Sequence, residues 1–171
     1  LVKHVPEYLK FSNLLNEKAY SAFGFGRKHP GVTQTTSVRS PYIYAEDNWM
    51  DDMELGAVAI YNADDPHHRQ HWFIDYADSL ARLELVTPWL GSDTAKHYQW
   101  YPFINLGHYE LAKLLSGKER SRVIGYYKKG IQQVWEKAKQ NAFYRGIPFI
   151  WCSNNLTTSF AIQCYWYKEL T

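Results

Sequence analysis

The chain has 171 residues, of which 17% are aromatic, and its formal net charge is only +2. This length is enough for one domain with a hydrophobic core. The interspersed charges form no basic stripe of the kind that binds nucleic acid, and no run of about 18 apolar residues would span a membrane. We therefore expect neither nucleic acid nor a membrane as a partner. The aromatic excess indicates core packing, a sugar-stacking surface, or both.

Six helices are predicted by the apolar periodicity of the chain. They span about residues 7–25, 47–61, 66–85, 102–115, 120–142 and 154–170. In the first helix, Leu14, Leu15, Tyr20 and Phe23 are the inward candidates. Strand signals are weak, and only residues 33–44 look extended.

The connections between these helices alternate in length. Residues 62–65 and 116–119 form short turns, whereas the other three connections are longer and aromatic. This alternation predicts antiparallel hairpins with the short turns at one end and the long loops at the other, where function is usually built. The second, fourth and sixth helices are less charged than the others, as expected of inner helices. The pattern predicts an all-α, α/α toroid, of which six helices are roughly half.

The stretch EDNWMDDMELGAVAIY, residues 46–61, places five carboxylates before an uncharged run. Asp47 or Asn48 is a natural N-cap, and Asp51, Asp52 and Glu54 fall in the first turns, where the helix dipole stabilises anions. Clustered carboxylates at a loop-to-helix junction also suit a calcium ion. Asp51 and Asp52 are therefore the candidate metal ligands. They are poor candidates for a catalytic pair, because adjacent helical residues point about 100° apart.

The two cysteines, Cys152 and Cys164, are predicted to be reduced. If the residues between them are helical, they lie roughly 16 to 18 Å apart, whereas a disulfide needs Cα atoms within about 7 Å. The chain opens Leu1-Val2-Lys3 without a methionine or a signal peptide. That start is typical of an internal piece, so it carries no information on location.

Three segments, in order, resemble glycoside hydrolase family 9 catalytic domains. EDNWMDDMELGAVAIY resembles the family helix that reads roughly Y-x-D-E-L-x-W-A-A-x-x-L-Y. WYPFINLGHYELAKLL is similar to the Trp-containing segment before the next inner helix, and PFIWCSNNLTTSFAIQCYWYKELT is similar to the family's Y-G-W-G-S-N segment. Together they cover about residues 30–171. The resemblance implies a partial (α/α)6 domain over residues 1–171 and, in the full-length protein, inverting hydrolysis of β-1,4-glucosidic bonds in glucans such as cellulose.

The resemblance also implies which parts of the reaction this chain supplies. An inverting glycosidase needs two carboxylates roughly 6.5–9.5 Å apart. The family's D-A-G-D motif, which carries the base, has no match here, and its acid follows a T-G-D turn beyond the last residue. We therefore expect no catalytic residue in this chain, no cofactor for the chemistry, and an inactive isolated chain that depends on the remainder of the parent domain.

The same resemblance assigns sugar-binding and cellular roles. Trp100 and Trp151 stand where the family places sugar-platform tryptophans, and Tyr44 stands in a loop with subsite aromatics. The alternative is that each ring packs a loop onto the barrel rim. The resemblance further implies a β-glucan as partner, calcium as a structural ion, and a secreted, cell-surface or periplasmic location.

Other functions fit parts of the pattern. Another toroid enzyme, such as an unsaturated glucuronyl hydrolase or a polysaccharide lyase, would place cations among the loop aromatics, where only Arg39 and Arg145 qualify. A non-catalytic helical-repeat module would show a period of 30 to 50 residues, which is missing. His67 and His71 are spaced to share a metal, but no third ligand is evident.

Overall fold

The computed structural model describes residues 8–31, 48–83, 105–147, 149 and 153–171. Over these ranges the chain forms six α-helices and no strand, which confirms the all-α prediction. None of the described helices is both long enough and apolar enough to cross a membrane. The helices are α1 (Leu9–Lys28), α2 (Met50–Ala63), α3 (Trp72–Leu83), α4 (Leu106–Leu114), α5 (Gly117–Ala138) and α6 (Ser153–Leu170).

Helices α4 and α5 form an antiparallel hairpin around a two-residue turn. Near the turn, Arg120 Nε of α5 donates to the carbonyl of Ala112, 3.2 Å away. Farther from the turn, the Tyr127 hydroxyl donates to the carbonyl of Asn105, at the start of α4. As residue numbers rise along α5 they fall along α4, so the two helices run in opposite directions.

Helices α4 and α6 run parallel and in register. Asn105 Nδ2 donates to Gln163 Oε1 over 3.0 Å. Two turns further along both helices, the Arg120 side chain binds the carbonyls of Ala112 and Leu170. In both contacts the α6 residue follows the α4 residue by the same number of positions in the sequence. The two helices therefore stay aligned, and α4 and α6 end at the same level.

The first hairpin has the same geometry. Phe23 of α1 lies beside Gly56 of α2, and a turn later Gly26 lies beside Met53. Helix α1 is therefore antiparallel to α2. Helix α2 also contacts α3 and α4, and α4 in turn contacts α6. The described helices form an arc of consecutive antiparallel neighbours in which α2, α4 and α6 are the inner row, as the sequence predicted.

One apolar core spans the arc from α1 to α6. Phe23 packs edge-on against Phe73, with ring centroids 5.5 Å apart, and Tyr109 of α4 stacks on Trp166 of α6 at 5.2 Å. The buried members of this core are Phe23, Ala57, Val58, Ile60, Phe73, Ile74, Ala77, Ala81, Leu111, Ala112, Val123, Tyr127 and Leu170. A smaller cluster of Val134, Ile147 and Leu156 lies between α5 and α6.

Several predicted boundaries were wrong. The third helix begins at Trp72 rather than near Pro66, because residues 64–71 form a separate turn in which Asp65 Oδ1 accepts from the amide of His67. The turn between α4 and α5 is shorter than predicted, since α5 already begins at Gly117. Residues 33–44 lie outside the described ranges.

The predicted inward face of α1 was right at Phe23, which is buried, and at Tyr20, whose partly exposed ring packs edge-on against the core residue Phe73, with centroids 5.6 Å apart. Tyr20 already reaches Asp64, which directly follows α2, so the first half of α1 continues past the end of its hairpin partner. Leu14 and Leu15 lie in that projecting half and are exposed.

Candidate functional site

The acidic start of α2 divides into one buried and one exposed carboxylate. Asp51 and Asp52 lie in the first turn of the helix, as predicted. Asp51 is only 4% exposed, whereas Asp52 faces solvent even though partial burial raises the pKa of its carboxyl. Asn48 Oδ1 accepts from the amide of Met50 at 3.1 Å, so a side chain just before the helix satisfies one of its first amides.

Glu54 has a different role from the dipole-stabilised acid that we predicted. Its carboxylate meets His108 Nδ1 at 2.8 Å, and the two side chains are 0% and 2% exposed. This pair joins α2 to α4 at the level where both helices begin. Burial raises the pKa of Glu54, because the loss of water outweighs the opposing effect of His108, and nearby Asp78 raises it further.

The close approach of α2 and α4 depends on a glycine. A Cβ atom on Gly107 would stand 3.2 Å from the Glu54 carboxyl carbon and 3.2 Å from the Leu55 amide nitrogen. The missing side chain therefore brings the two inner helices close enough for the ion pair to form.

Helices α4 and α6 run parallel but begin at different levels along their shared direction. Asn105, at the start of α4, pairs with Gln163 in the second half of α6. It also accepts from Tyr127, eleven residues before α5 ends at Ala138. The α5–α6 hairpin therefore extends roughly 16 Å beyond the start of α4, at 1.5 Å per residue.

The sugar-binding candidates Tyr44, Trp100 and Trp151 lie outside the described residues, so their roles stay predictions. In the sequence they precede α2, α4 and α6 respectively. Those are the three parallel inner helices, which all begin at the end of the arc from which the long connections leave.

The metal candidates do not converge. Asp51 points inward and Asp52 outward, and within the described ranges no three His, Cys, Asp or Glu side chains gather at one point. A calcium ion at Asp51 would need ligands from residues outside those ranges. The calcium site therefore stays a prediction.

The remaining sequence candidates are placed as follows. His71 Nδ1 lies 3.3 Å from Asp75 on the surface, and His67 is exposed in the preceding turn. Cys164 is a half-buried free thiol whose pKa is raised by burial. Cys152 and Arg39 lie outside the described residues.

Sequence reasoning missed a second feature, an apolar pocket of about 600 Å³ between α5, α6 and residues 143–147. The one signal for it in the sequence was the aromatic pair in NAFYRG, residues 141–146, beside Trp135 near the end of α5. Its lining side chains include Ile131, Val134, Trp135, Tyr144, Arg145 and Phe160.

Serial antiparallel hairpins with a parallel inner row define a protein of the α/α-hairpin class. Comparison with known families makes the assignment specific: the model described as "Glycosyl hydrolase family 9" matches residues 4–171. The chain therefore belongs to glycosyl hydrolase family 9, a family of (α/α)6 toroids. Membership supports a glycosidase in general, and the family implies a carbohydrate substrate. No curated protein and no solved structure matched the chain.

Proposed function

We propose that the full-length protein hydrolyses β-1,4-glucosidic bonds of a cellulose-type glucan, with inversion and in endo fashion, and that this chain supplies part of the wall of the sugar cleft. Family membership supports a glycosidase. The choice of glucan rests on the tryptophans of the three family-like segments. The proposal places the catalytic acid and base outside residues 1–171, because the motif that carries the base has no counterpart in the sequence.

One observation carries the proposed cleft. The inner helices α2, α4 and α6 run parallel, and they are joined by buried polar contacts between Glu54 and His108 and between Asn105 and Gln163. These contacts hold the three inner helices together near the end of the arc at which the long aromatic connections join them. A rigid floor beneath variable loops is the usual construction of an active-site face.

In this proposal Trp100, Trp151 and Tyr44 are stacking surfaces for pyranose rings. The apolar face of a sugar packs on an indole or phenol ring, so removing a ring should weaken glucan binding without unfolding the core. The chemistry needs no cofactor, because an acid and a base suffice for inversion. The protein acts on an extracellular polymer, so we place it outside the cell or in the periplasm.

The experiment is affinity electrophoresis or titration calorimetry with cellohexaose and the full-length protein. Trp100→Ala and Trp151→Ala should each weaken binding roughly tenfold, whereas Phe25→Ala, which removes an exposed ring from α1, should not. Circular dichroism checks that all three variants stay folded. Unchanged affinity in both tryptophan variants would contradict the proposed cleft.

We also propose a structural calcium ion at the start of α2, with Asp51 as a ligand. The buried carboxylate in the first helical turn supports this role, since calcium prefers carboxylate oxygens. Calorimetric titration of the full-length protein with calcium should show binding that Asp51→Asn weakens and Asp75→Asn leaves unchanged. If the wild type takes up no calcium, Asp51 serves only the helix and its own contacts.

A further inference from the structure

The pocket between α5 and α6 lies on the side of α5 that faces away from α3 and α4. On α5, Arg122 and Tyr126 point toward α3 and α4, where they meet Asp78 and His108. Ile131 and Trp135 project from the opposite side of the helix, by the 3.6-residue period, and line the pocket. The pocket is therefore separate from the polar contacts beneath the proposed cleft.

Its outer wall is a loop that the structure anchors firmly. Asn141 Nδ2 donates to the carbonyl of Arg145 at 2.7 Å, and Asn141 Oδ1 accepts from the amides of Phe143 and Arg145. At the other end of the loop, Gly146 lies so close to α5 that a Cβ atom would stand 2.2 Å from the Val134 carbonyl oxygen. These contacts fix the backbone on both sides of Tyr144.

The anchored loop holds aromatic rings in solvent. Phe143 is 90% exposed and Tyr144 is 68% exposed. Tyr144 adopts φ +50°, a left-handed conformation that is unfavourable for a bulky residue. Its ring faces Trp135, which is 53% exposed, at a centroid distance of 6.4 Å with the planes 26° from parallel. Two nearly parallel, accessible rings form an apolar surface suited to a flat ligand.

A cation completes the wall. Arg145 lines the pocket, and its guanidinium lies 5.1 Å from the centre of the Phe149 ring. Within the described part of the chain, no carboxylate lies within ion-pair distance of it, whereas Arg82 and Arg122 both pair with Asp78. The pocket thus combines stacking surface with one positive charge that has no anionic partner among the described residues.

We propose that this pocket binds a carbohydrate that carries a carboxylate, that is, a uronic acid residue of a glycan. The pyranose would stack on Trp135 and Tyr144, and its carboxylate would pair with Arg145, whose planar guanidinium matches a carboxylate through two hydrogen bonds. A volume of about 600 Å³ is within the range of small-ligand pockets, which are mostly apolar with few polar groups. The site adds recognition of an acidic glycan to the proposed glucan cleft. This proposal does not depend on the proposed hydrolysis of glucan.

The test is calorimetric titration of the full-length protein with two probes that share a backbone. One is a xylotriose bearing a glucuronic acid, and the other is unsubstituted xylotriose. The acidic probe should bind at least tenfold more tightly, and added salt should reduce the difference, because ion pairs at accessible sites are screened.

Variants separate the contribution of the Arg145 charge from that of the stacking rings. Arg145→Gln should weaken binding of the acidic probe roughly tenfold, about the effect of losing one charge-assisted hydrogen bond. Arg145→Lys should restore part of the loss, and Trp135→Ala should weaken both probes. Arg27→Gln is the matched control, because Arg27 also lies over a tryptophan, 5.2 Å from the Trp72 ring centre, outside the pocket.

Equal binding of the two probes, no binding of either, or an equal loss in the Arg145 and Arg27 variants would each overturn the proposal. The result is also independent of the glucan cleft. Trp100→Ala, in a different connection of the chain, should leave the affinity for the acidic probe unchanged, even if it abolishes glucan binding.

Discussion

At the residue scale, Glu54 shows why a polar side chain can hold a core together. A carboxylate buried without a partner is strongly destabilising, so its charge must be matched or removed. His108 provides that match from the neighbouring inner helix, and both side chains are almost fully buried. The pair therefore fixes which residues of α2 and α4 face each other, which apolar packing alone specifies less sharply.

The first prediction concerns this pair and pH. Because burial raises the pKa of Glu54, the folded protein retains a proton at pH values where the unfolded chain has lost it. Stability should therefore fall as the pH rises from the ordinary glutamate pKa toward the raised value. Glu54→Gln should remove that fall, as measured by urea unfolding across roughly pH 4 to 8. A pH profile identical to wild type would show that Glu54 is not the titrating group.

Truncation of the same side chain gives the second prediction. Glu54→Ala leaves His108 buried without its carboxylate, so it should cost about 3–5 kcal/mol of unfolding free energy. Glu54→Gln should cost less, since the amide can still bond to the imidazole. Thermal unfolding of the two variants compares these costs, and equal losses would mean that volume matters here rather than hydrogen bonding.

The third prediction uses two glycines. A Cβ atom at position 146 would meet the Val134 carbonyl oxygen at 2.2 Å, whereas one at Gly125 would meet nothing within 4 Å. Gly146→Ala should therefore lower the melting temperature and detach the loop from α5. Gly125→Ala, inside helix α5, should raise stability by up to about 1 kcal/mol. Equal melting temperatures for the two variants would contradict the packing described for the loop.

At the element scale, the alternation of connection lengths was the most informative part of the sequence. It predicted antiparallel hairpins and a parallel inner row, and the contacts of Asn105, Arg120 and Gln163 confirm this arrangement for α4, α5 and α6. Periodicity did not predict the relative lengths of α1 and α2. Leu14 and Leu15 have the spacing of core residues, yet they lie where α1 continues beyond its partner.

The candidate site was harder to predict, for physical reasons. From the sequence alone, an acidic residue near the start of a helix is explained by its interaction with the helix dipole. We assigned Glu54 to that role. Its actual partner stands 54 positions along the chain, a distance at which composition and periodicity give no information. The pocket was missed for the same reason, since Trp135 and Tyr144 come together only when the loop folds back onto α5.

The fourth prediction tests how the outer helices are joined. Asp78 of α3 accepts from Arg82 in its own helix and pairs with Arg122 of α5. Asp78→Ala should lower stability clearly, because it leaves the largely buried guanidinium of Arg122 without its carboxylate. Asp75→Ala, an exposed acid on the same helix that pairs with the surface residue His71, should cost under about 1 kcal/mol. Urea unfolding measures both, and equal costs would mean that α3 and α5 are held by apolar packing alone.

At the scale of the whole molecule, the chain is an arc of helical hairpins from a toroid family. Its described helices build the floor beneath the long connections, and the proposed sugar contacts come from the connections themselves. We propose that residues 1–171 bind and position the glucan, while the acid and the base that cleave it lie elsewhere in the protein. The isolated 171 residues should then bind glucan weakly and hydrolyse none.

The most direct test of this division of labour is cleavage of cellohexaose, followed by proton NMR of the newly formed anomeric centre. The full-length protein should cleave the sugar and release α-anomers first, as expected when water attacks a β-linkage with inversion. The isolated chain should release nothing. Hydrolysis by the isolated chain, or β-anomers from the full-length protein, would contradict the account and make Asp51, Asp52 and Glu54 the first carboxylates to mutate.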